Sequence, residues 1–353
     1  MIQCNAITNG LTIYPDNSIA PCCGFNRQYA EKYVPGQDRF IEIKQALKND
    51  IQHPACVGCW DCEKNNISSP RENYNKTKVS GNDVVFLDVR NTNLCNLYCR
   101  MCGPDYSSTI AKANGTVNFI KHSGIDQYSI DHSTIRDVYF TGGEPLINPD
   151  HWQILDSIPN PELVSLRYNS NLTLLSYKDK HVFDYWKKFR SVFFQVSLEG
   201  YKEVNDLVRV GSNWDRIATN INSLIEFKRE FNNIELGVFS CVNVLTVWDI
   251  EQLIDYIIDK DLTFNIIIEL TGGWLSLNVI PQNKRHLLKD KLESLYTKLR
   301  DRDVNVKNRI ALALAELDTL EVSDKLPETI ANIQHVDKLY NINLFDRIKH
   351  NLL

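Results

Sequence analysis

Short runs rich in β-branched residues alternate with longer amphipathic runs between about residues 83 and 275. The short runs predict six β-strands, at residues 84–89, 136–141, 163–169, 191–198, 234–242 and 264–271. Between the strands, apolar residues recur every three or four positions, most clearly over residues 214–231 and 248–260, which predicts helices. Six β-α repeats in succession favour parallel strands joined by right-handed crossovers. The sequence therefore predicts an α/β fold, a partial (β/α)6 TIM-like barrel with its helices outside.

The segments on either side of these repeats have a different character. Residues 1–75 are rich in loop-forming residues, contain six cysteines and offer few apolar residues for a core, so we expect a metal site to stabilise them. Residues 281–353 contain two predicted helices, at 285–300 and 309–320. We therefore expect a small cysteine-rich module at 1–75, the partial barrel at 76–280 and a helical C-terminal extension at 281–353.

Composition narrows the class of protein. Of the 353 residues, 43% are hydrophobic and 24% are charged, which is typical of a globular chain and excludes disordered and collagen-like classes. Lys+Arg total 39 against Asp+Glu 44, a net charge of −5, which argues against a broad basic surface for nucleic acid. No apolar run reaches the roughly 18 residues that span a bilayer, and the first residues lack the pattern of a signal peptide. We expect a cytoplasmic protein without a membrane or nucleic-acid partner.

The chain has ten cysteines, and only Cys241 lies beyond its first third. In the reducing compartment expected for this chain, clustered thiolates hold metals more often than they form disulfides. Cys241 lies alone in a strongly apolar predicted strand and is expected to be a buried thiol of the core. We therefore expect a metal centre to carry out the chemistry of the protein.

Three of the cysteines, Cys95, Cys99 and Cys102, form a C-x3-C-x2-C pattern directly after the first predicted strand. A cube of four irons needs four outer ligands, and thiolates are the usual ones. Three cysteines leave one iron without a protein ligand, and an open metal position can bind a substrate or cofactor. The alternative is a zinc site completed by a distant histidine.

This pattern, followed by Thr141-Gly142-Gly143-Glu144-Pro145 after the second predicted strand, resembles the radical S-adenosylmethionine (radical SAM) superfamily. The resemblance covers about residues 83–275. It implies a [4Fe-4S] cluster on Cys95, Cys99 and Cys102, whose open iron binds S-adenosyl-L-methionine. It further implies that one electron cleaves the sulfonium to a 5′-deoxyadenosyl radical, which abstracts a hydrogen atom from a substrate. A reducing partner such as flavodoxin or ferredoxin would supply that electron.

The resemblance also assigns contacts to S-adenosylmethionine at the ends of the predicted strands. By analogy, the Gly142-Gly143-Glu144 segment contacts the methionine amino group, although a tight turn without a ligand is the alternative. Other assigned positions share a polar or polarisable side chain near the expected ligand: Asn169, Ser197, Arg209 and Met101. Arg209 could instead belong to a surface ion pair, and Met101 could simply pack the loop. Glu199 stands where the family usually has Asp, which leaves its role open.

A second metal site is expected in the N-terminal region. Cys4, Asn17 and Cys22 resemble the opening of SPASM and twitch modules, with Asn17 in place of the usual glycine in the turn between predicted strands at 12–14 and 19–20. Residues 56–62 add a C-x2-C-x2-C pattern. We favour Cys4, Cys22, Cys56 and Cys59 as ligands of an auxiliary iron-sulfur cluster, expected to be a [4Fe-4S] cluster that assists electron transfer. Cys23 and Cys62 are alternates, and a structural zinc is the alternative metal.

Three functions follow from these features. The first is a radical SAM enzyme that modifies a peptide or protein side chain, although no three-stranded peptide-docking unit is visible before Cys4. The second is the same chemistry on a small molecule such as a sugar, nucleotide or cofactor precursor, as in twitch-type dehydrogenases. The third is a non-enzymatic zinc-binding module. The net reaction and the substrate stay open, and His53, His122, His132 and His151 are interpreted as loop residues.

Overall fold

A computed structural model of the chain describes residues 2–317 and 319–353. The strands of these residues are β1 Gly10–Ile13, β2 Ser18–Ala20, β3 Glu31–Lys32, β4 Phe86–Val89, β5 Tyr98–Cys99, β6 Asp137–Phe140, β7 Ser165–Ser170, β8 Ser176–Tyr177, β9 Lys180–His181, β10 Ser191–Ser197, β11 Arg209–Val210, β12 Ile234–Val242 and β13 Thr263–Ile268. The α-helices are α1 Asn5–Asn9, α2 Ile41–Lys48, α3 Val57–Lys64, α4 Pro70–Asn75, α5 Ser108–Ala113, α6 Pro149–Ser157, α7 Val182–Trp186, α8 Glu203–Val208, α9 Trp214–Glu230, α10 Ile250–Asp259, α11 Arg285–Lys298, α12 Val304–Leu317, α13 Leu326–Tyr340 and α14 Leu344–Leu352.

A nine-stranded sheet in the order β13-β12-β10-β7-β6-β4-β1-β2-β3 forms the centre of the fold. The strands from β13 to β1 pair in parallel, and β2 and β3 complete one edge in antiparallel pairing. The fold is thus a mixed α/β fold with a mostly parallel sheet, as a partial barrel requires. The six predicted strands and the two predicted helices of the repeat region are confirmed, with ends that differ by at most three residues.

The predicted N-terminal hairpin is also present, and it joins the main sheet. Strand β1 pairs in parallel with β4, so that Thr12 lies beside Asp88. Asn17 closes the turn before β2 with φ 64°, a left-handed conformation that asparagine adopts more readily than most residues. Residues 10–20 therefore extend the same sheet that carries the repeat region.

The two faces of the sheet differ in chemistry. On one face the helices cover an aromatic core in which Phe140 stacks on Tyr168, and Tyr168 packs against Trp186 of α7 and Phe194. We call the opposite face, which carries Asp88, Arg90, Asp137, Tyr139 and Arg167, the inner face. Alternate residues of a strand point to opposite faces, so each strand supplies both the core and the inner face.

The C-terminal region is helical, as predicted. The helix expected at 285–300 is α11, and the one expected at 309–320 is α12, which begins five residues earlier. That second prediction also covers residue 318, and the N-terminal module was predicted from residue 1; both residues lie outside the described part. Among the described residues, no helix combines the length and apolarity needed to cross a membrane.

Candidate functional site

The three cysteines of the C-x3-C-x2-C pattern lie in residues 90–107, between the carboxyl end of β4 and α5. We call this segment, which includes the two-residue strand β5, the cysteine loop. Cys99 is buried, and Cys95 and Cys102 are half-buried. Burial raises the pKa of all three thiols, that of Cys102 to about 12, and the neighbouring sulfurs raise the pKa of Cys95 and Cys102 further. Thiolates gathered in this way need a positive group to hold them, and a metal cluster supplies one.

The Gly142-Gly143 segment after β6 lies directly against this cysteine loop. The Gly143 amide donates to the Thr92 carbonyl at 3.1 Å, and the Glu144 amide donates to the Leu94 carbonyl at 2.7 Å. A Cβ atom on Gly143 would lie 2.1 Å from the Leu94 oxygen, so only glycine permits this approach. Gly142 has φ 101°, which other residues rarely adopt. The two loops therefore form one backbone-linked unit.

The side chain of Glu144 is turned into the protein, where it is 2% exposed. Its carboxylate accepts hydrogen bonds from the Ser170 hydroxyl and the Asn171 amide, both at 2.8 Å, and from the Leu146 amide at 3.1 Å. Burial raises the pKa of Glu144, and these three donors oppose that shift. Glu144 thus joins the end of β6 to the end of β7. A ligand contact of Gly142, Gly143 or Glu144 stays a prediction.

Arg209 connects the cysteine loop to the end of β10. Strand β11 pairs with β5 and places Arg209 opposite Cys99. The guanidinium donates from Nη1 to the Cys99 sulfur at 3.5 Å and from Nη2 to the Glu199 carboxylate at 2.6 Å. Burial works against the charge on Arg209, but Cys99 and Glu199 hold its pKa above its ordinary value. Its side chain is only 12% exposed, so the ion pair is not a surface one.

Glu199 is the residue of this site whose importance the sequence does not reveal. It is 1% exposed, and besides Arg209 it accepts the Cys241 amide at 2.8 Å. Burial raises the pKa of Glu199, and Arg209 opposes that shift. Through these two hydrogen bonds, Glu199 connects the end of β10 to β11 and β12 beside the cysteine loop. The only available signal was the Ser-Leu-Glu-Gly segment at the end of a predicted strand.

Two buried polar atoms beside this site have no hydrogen-bond partner among the described residues, Asn169 Oδ1 and Arg209 Nε. They offer one acceptor and one donor to a ligand. Ser197, at the end of β10, and Met101, in the cysteine loop, are both half-buried. Three thiols, a backbone cradle and two unpartnered polar atoms fit the expected cluster and S-adenosylmethionine.

Four cysteines of the N-terminal region, Cys4, Cys22, Cys56 and Cys59, lie close together. The charge of Cys4 raises the pKa of Cys22, Cys56 and Cys59, and the charge of Cys59 raises the pKa of Cys22 and Cys56, in each case by less than burial does. Burial brings the pKa of Cys56 to about 12 and that of Cys59 to about 11. The four thiols favoured from the sequence are thus neighbours.

Cys23 is close to these thiols, since its charge raises the pKa of Cys22 and Cys59, and it is also close to the charged side chains of the inner face. Its sulfur lies 3.8 Å from the Tyr74 hydroxyl, and it is close enough to Arg90 and Arg167 for their charges to oppose the rise that burial causes in its pKa. It therefore lies at the inner face of the sheet. Cys62, on α3, is half-buried and stays an alternate ligand.

No three His, Cys, Asp or Glu side chains in residues 2–317 and 319–353 are spaced to hold a single metal ion. A cube of four irons binds its ligands at four separate corners, so its thiolates lie further apart than those around one ion.

The inner face carries a row of alternating rings and guanidinium groups. Arg90 lies 5.8 Å from the Tyr14 ring and 5.9 Å from the Tyr139 ring, and Arg167 lies 4.8 Å from Tyr139 and 5.6 Å from Tyr74. Asp88 pairs with Arg90, and Asp137 pairs with Arg167, each at 2.6 Å. The two arginines are therefore neutralised and held by cation–π contacts. They form a polar floor close to Cys23.

Two expectations from the sequence are wrong. Cys241 is half-buried, not a core residue, because its side chain lies on the open side of β12, in register with Ile267, which is 42% exposed. His151 is not a loop residue: it lies on α6, fully buried, and its Nε2 is 2.9 Å from the Tyr168 hydroxyl. Burial lowers the pKa of His151 to about 3.

Comparison with known proteins identifies the central region. Residues 90–259 match the family model of the radical SAM superfamily. This segment is a radical SAM superfamily domain. It includes the cysteine loop, the Gly142-Gly143 segment and Arg209, and it ends at the last residue of α10.

Among curated proteins, the chain is similar to the GTP 3′,8-cyclase of Rhodopirellula baltica. The two are 24% identical over 204 residues, which cover 55% of this chain and 54% of the relative. The chain thus spans about half the length of the curated relative it matches.

Two solved structures are also similar. Native anSMEcpe with bound AdoMet shares 17% identity, with a TM-score of 0.43 and coverage of 62% of each chain. Streptococcus suis SuiB bound to precursor peptide SuiA shares 14% identity, with a TM-score of 0.37 and coverage of 76% of this chain and 55% of that one.

Proposed function

We propose that this protein is a radical SAM enzyme that binds a [4Fe-4S] cluster through Cys95, Cys99 and Cys102. When bound, the cluster and S-adenosylmethionine supply a 5′-deoxyadenosyl radical that abstracts hydrogen from a substrate. The observation that carries the proposal is the joining of the cysteine loop to the Gly142-Gly143 segment by two backbone hydrogen bonds, at the carboxyl ends of parallel strands. The match of residues 90–259 to the superfamily supports it.

The residues of the chain have distinct tasks in this proposal. Gly142 and Gly143 let the backbone come close to the amino acid part of S-adenosylmethionine. Arg209, kept charged and oriented by Glu199, offers its free Nε to a carboxylate, for which a guanidinium is well suited. Asn169 offers an unpartnered amide oxygen as an acceptor for a hydroxyl or amine. We assign Ser197, at the end of β10, and Met101, which precedes Cys102, to the same ligand.

We further propose that Cys4, Cys22, Cys56 and Cys59 bind an auxiliary iron-sulfur cluster. Four thiolates would close every corner of a cube, so this second cluster would transfer electrons and would not bind S-adenosylmethionine. The proximity of the four thiols supports this role.

For the substrate, we propose a peptide or protein side chain that reaches the inner face of the sheet. A small molecule is the second candidate, and the GTP 3′,8-cyclase of Rhodopirellula baltica, which aligns with 55% of this chain, favours it. The polar floor of Arg90, Tyr139 and Arg167 suits a polar group in either case. An anaerobic crystal structure with S-adenosylmethionine would separate the two: a long surface groove facing the 5′ carbon supports a peptide, and a closed cavity supports a small molecule.

The experiment that tests the enzyme assignment is anaerobic reconstitution with iron and sulfide, followed by reduction in the presence of S-adenosylmethionine. We expect about eight irons per chain, from two four-iron clusters, and release of 5′-deoxyadenosine. A protein that takes up zinc instead and stays colourless would support the non-enzymatic zinc module and contradict the proposal.

A further inference from the structure

The cysteine loop is held from a distant part of the chain as well as from the sheet. Arg100, which follows Cys99, has a fully buried side chain. Its Nε donates to the Leu207 carbonyl at 2.7 Å and its Nη1 to the Ile333 carbonyl at 3.0 Å. Its Nη2 forms an ion pair with Asp337 of α13, 237 residues further along the chain. The last two partners both belong to α13.

Asp337 is itself fixed by the helix that follows. Its second carboxylate oxygen accepts the Phe345 amide, in the first turn of α14, at 2.8 Å. The residue is 9% exposed, so both of its oxygens are used inside the protein. One carboxylate therefore joins α13, α14 and the cysteine loop.

A small apolar cluster, separate from the main core, lies beside this ion pair. It consists of Tyr98, Ile110, Val210 and Val336, with Cys102 and Tyr340 packed against it. The Tyr98 and Tyr340 rings meet edge to face, with centroids 5.1 Å apart. The outer wall of the cysteine loop is thus built by α13, which covers the side of the loop that faces away from the sheet.

Burying an arginine raises the free energy of the folded state unless the charge is paired. A buried salt bridge adds little net stability, but its hydrogen bonds fix the position of the groups that it joins. The side chain of Arg100 donates three hydrogen bonds, and none of their acceptors belongs to the cysteine loop. The interaction therefore constrains where the backbone between Cys99 and Cys102 can lie. Three metal ligands act together only if that backbone keeps its shape.

We propose that α13 and α14 act as a clamp on the loop of Cys95, Cys99 and Cys102, with Arg100 and Asp337 as the positioning residues that keep the three thiols arranged for their cluster. The inference rests on the proposed function, because it assigns the clamp to the cluster ligands. It goes beyond that function by giving the C-terminal helices a task in metal retention.

The test measures the loop itself before any metal is added. Metal-free protein is treated with iodoacetamide, and the labelling rate of each cysteine is followed by mass spectrometry. We expect D337N and D337A to raise the labelling rates of Cys99 and Cys102 about tenfold, with Cys241 unchanged as an internal reference. R100K, which keeps the charge but loses the planar fork, should give an intermediate rate.

A matched control lies on the same helix. Glu328 of α13 pairs with Lys325, and both side chains are about half exposed, so E328Q should label at wild-type rates. Unchanged labelling of Cys99 and Cys102 in D337N and D337A would overturn the clamp. A rise in labelling at Cys241 as well would show general unfolding and would also count against it.

The second measurement is metal retention. The reconstituted proteins are exposed to an iron chelator, and the loss of iron is followed with time. The iron held by Cys95, Cys99 and Cys102, about half of the total, should be lost several times faster from D337N and D337A than from E328Q. Equal rates would overturn the clamp while leaving the proposed function intact. If wild-type protein binds no iron, the proposed function fails, yet the labelling rates still decide whether the helices hold the loop.

Discussion

The Glu199 carboxylate accepts a 2.6 Å hydrogen bond from Arg209, whose other terminal nitrogen lies 3.5 Å from the Cys99 sulfur. This relationship links a strand end to the cysteine loop through two buried charges. The Glu199 carboxylate also accepts a hydrogen bond from the backbone amide of Cys241, so it holds Arg209 and β12 at once. Glu199 therefore belongs to this site, because it orients Arg209 beside Cys99.

The first prediction concerns that ion pair. Replacing Glu199 with glutamine leaves the buried Arg209 without its charge partner, and we expect the free energy of unfolding to fall by about 3 kcal/mol. Urea unfolding of the reduced, metal-free protein measures this. As a control, the exposed pair of Lys187 and Asp184 should matter little, so D184N should change stability by less than about 0.5 kcal/mol. Equal effects of E199Q and D184N would show that the Arg209 pair is not buried as described.

The second prediction concerns the contact between the two loops. G143A places a methyl group 2.1 Å from the Leu94 oxygen, so the loops must separate, at a cost of about 2 kcal/mol. We expect weaker binding of S-adenosylmethionine by the reconstituted protein, measured by equilibrium dialysis. Gly103 is the matched control, because it follows Cys102 directly and a Cβ there meets nothing within 4 Å. If G103A and G143A bind equally well, the close approach of the loops is not needed for the ligand.

The third prediction follows from His151. Its folded pKa of about 3 lies below the ordinary value of about 6.5, so the unfolded chain binds the proton more tightly. The stability that His151 contributes is fully present above about pH 6.5 and is lost as pH falls from there towards 3. The expected slope is about 1.4 kcal/mol per pH unit, or about 2 kcal/mol at pH 5.

Substitution of His151 isolates this effect from other titrating groups. H151L cannot take up the proton, and its stability should fall by about 2 kcal/mol less than that of the wild type between pH 6.5 and pH 5. Urea unfolding at several pH values gives both curves. If the two curves are parallel, protonation of His151 does not cause the loss of stability at low pH.

The sequence predicts the strands well because the apolar alternation that defines them is local. The same holds for the turn at Asn17, whose residue type suits its left-handed conformation. The parallel pairing of β1 with β4 was not predicted, because it brings together segments more than 70 residues apart that carry no joint signal. The inner exposure of Cys241 was missed for a related reason: an apolar strand does not show which of its faces stays open.

The candidate site divides in the same way. Cys95, Cys99, Cys102 and the Gly142-Gly143 segment stand out by type and spacing. Arg100 and Asp337 do not, because their partnership depends on how a C-terminal helix packs against a loop 237 residues earlier. The role of Glu199 required knowing which charge lies opposite it in the fold.

The most direct test of the central claim compares two sets of cysteine variants after anaerobic reconstitution. Replacement of Cys95, Cys99 and Cys102 with alanine should leave about half of the iron and abolish reductive cleavage of S-adenosylmethionine. Replacement of Cys4, Cys22, Cys56 and Cys59 with alanine should also leave about half of the iron, but cleavage should continue. Cleavage that persists without Cys95, Cys99 and Cys102 would contradict the account.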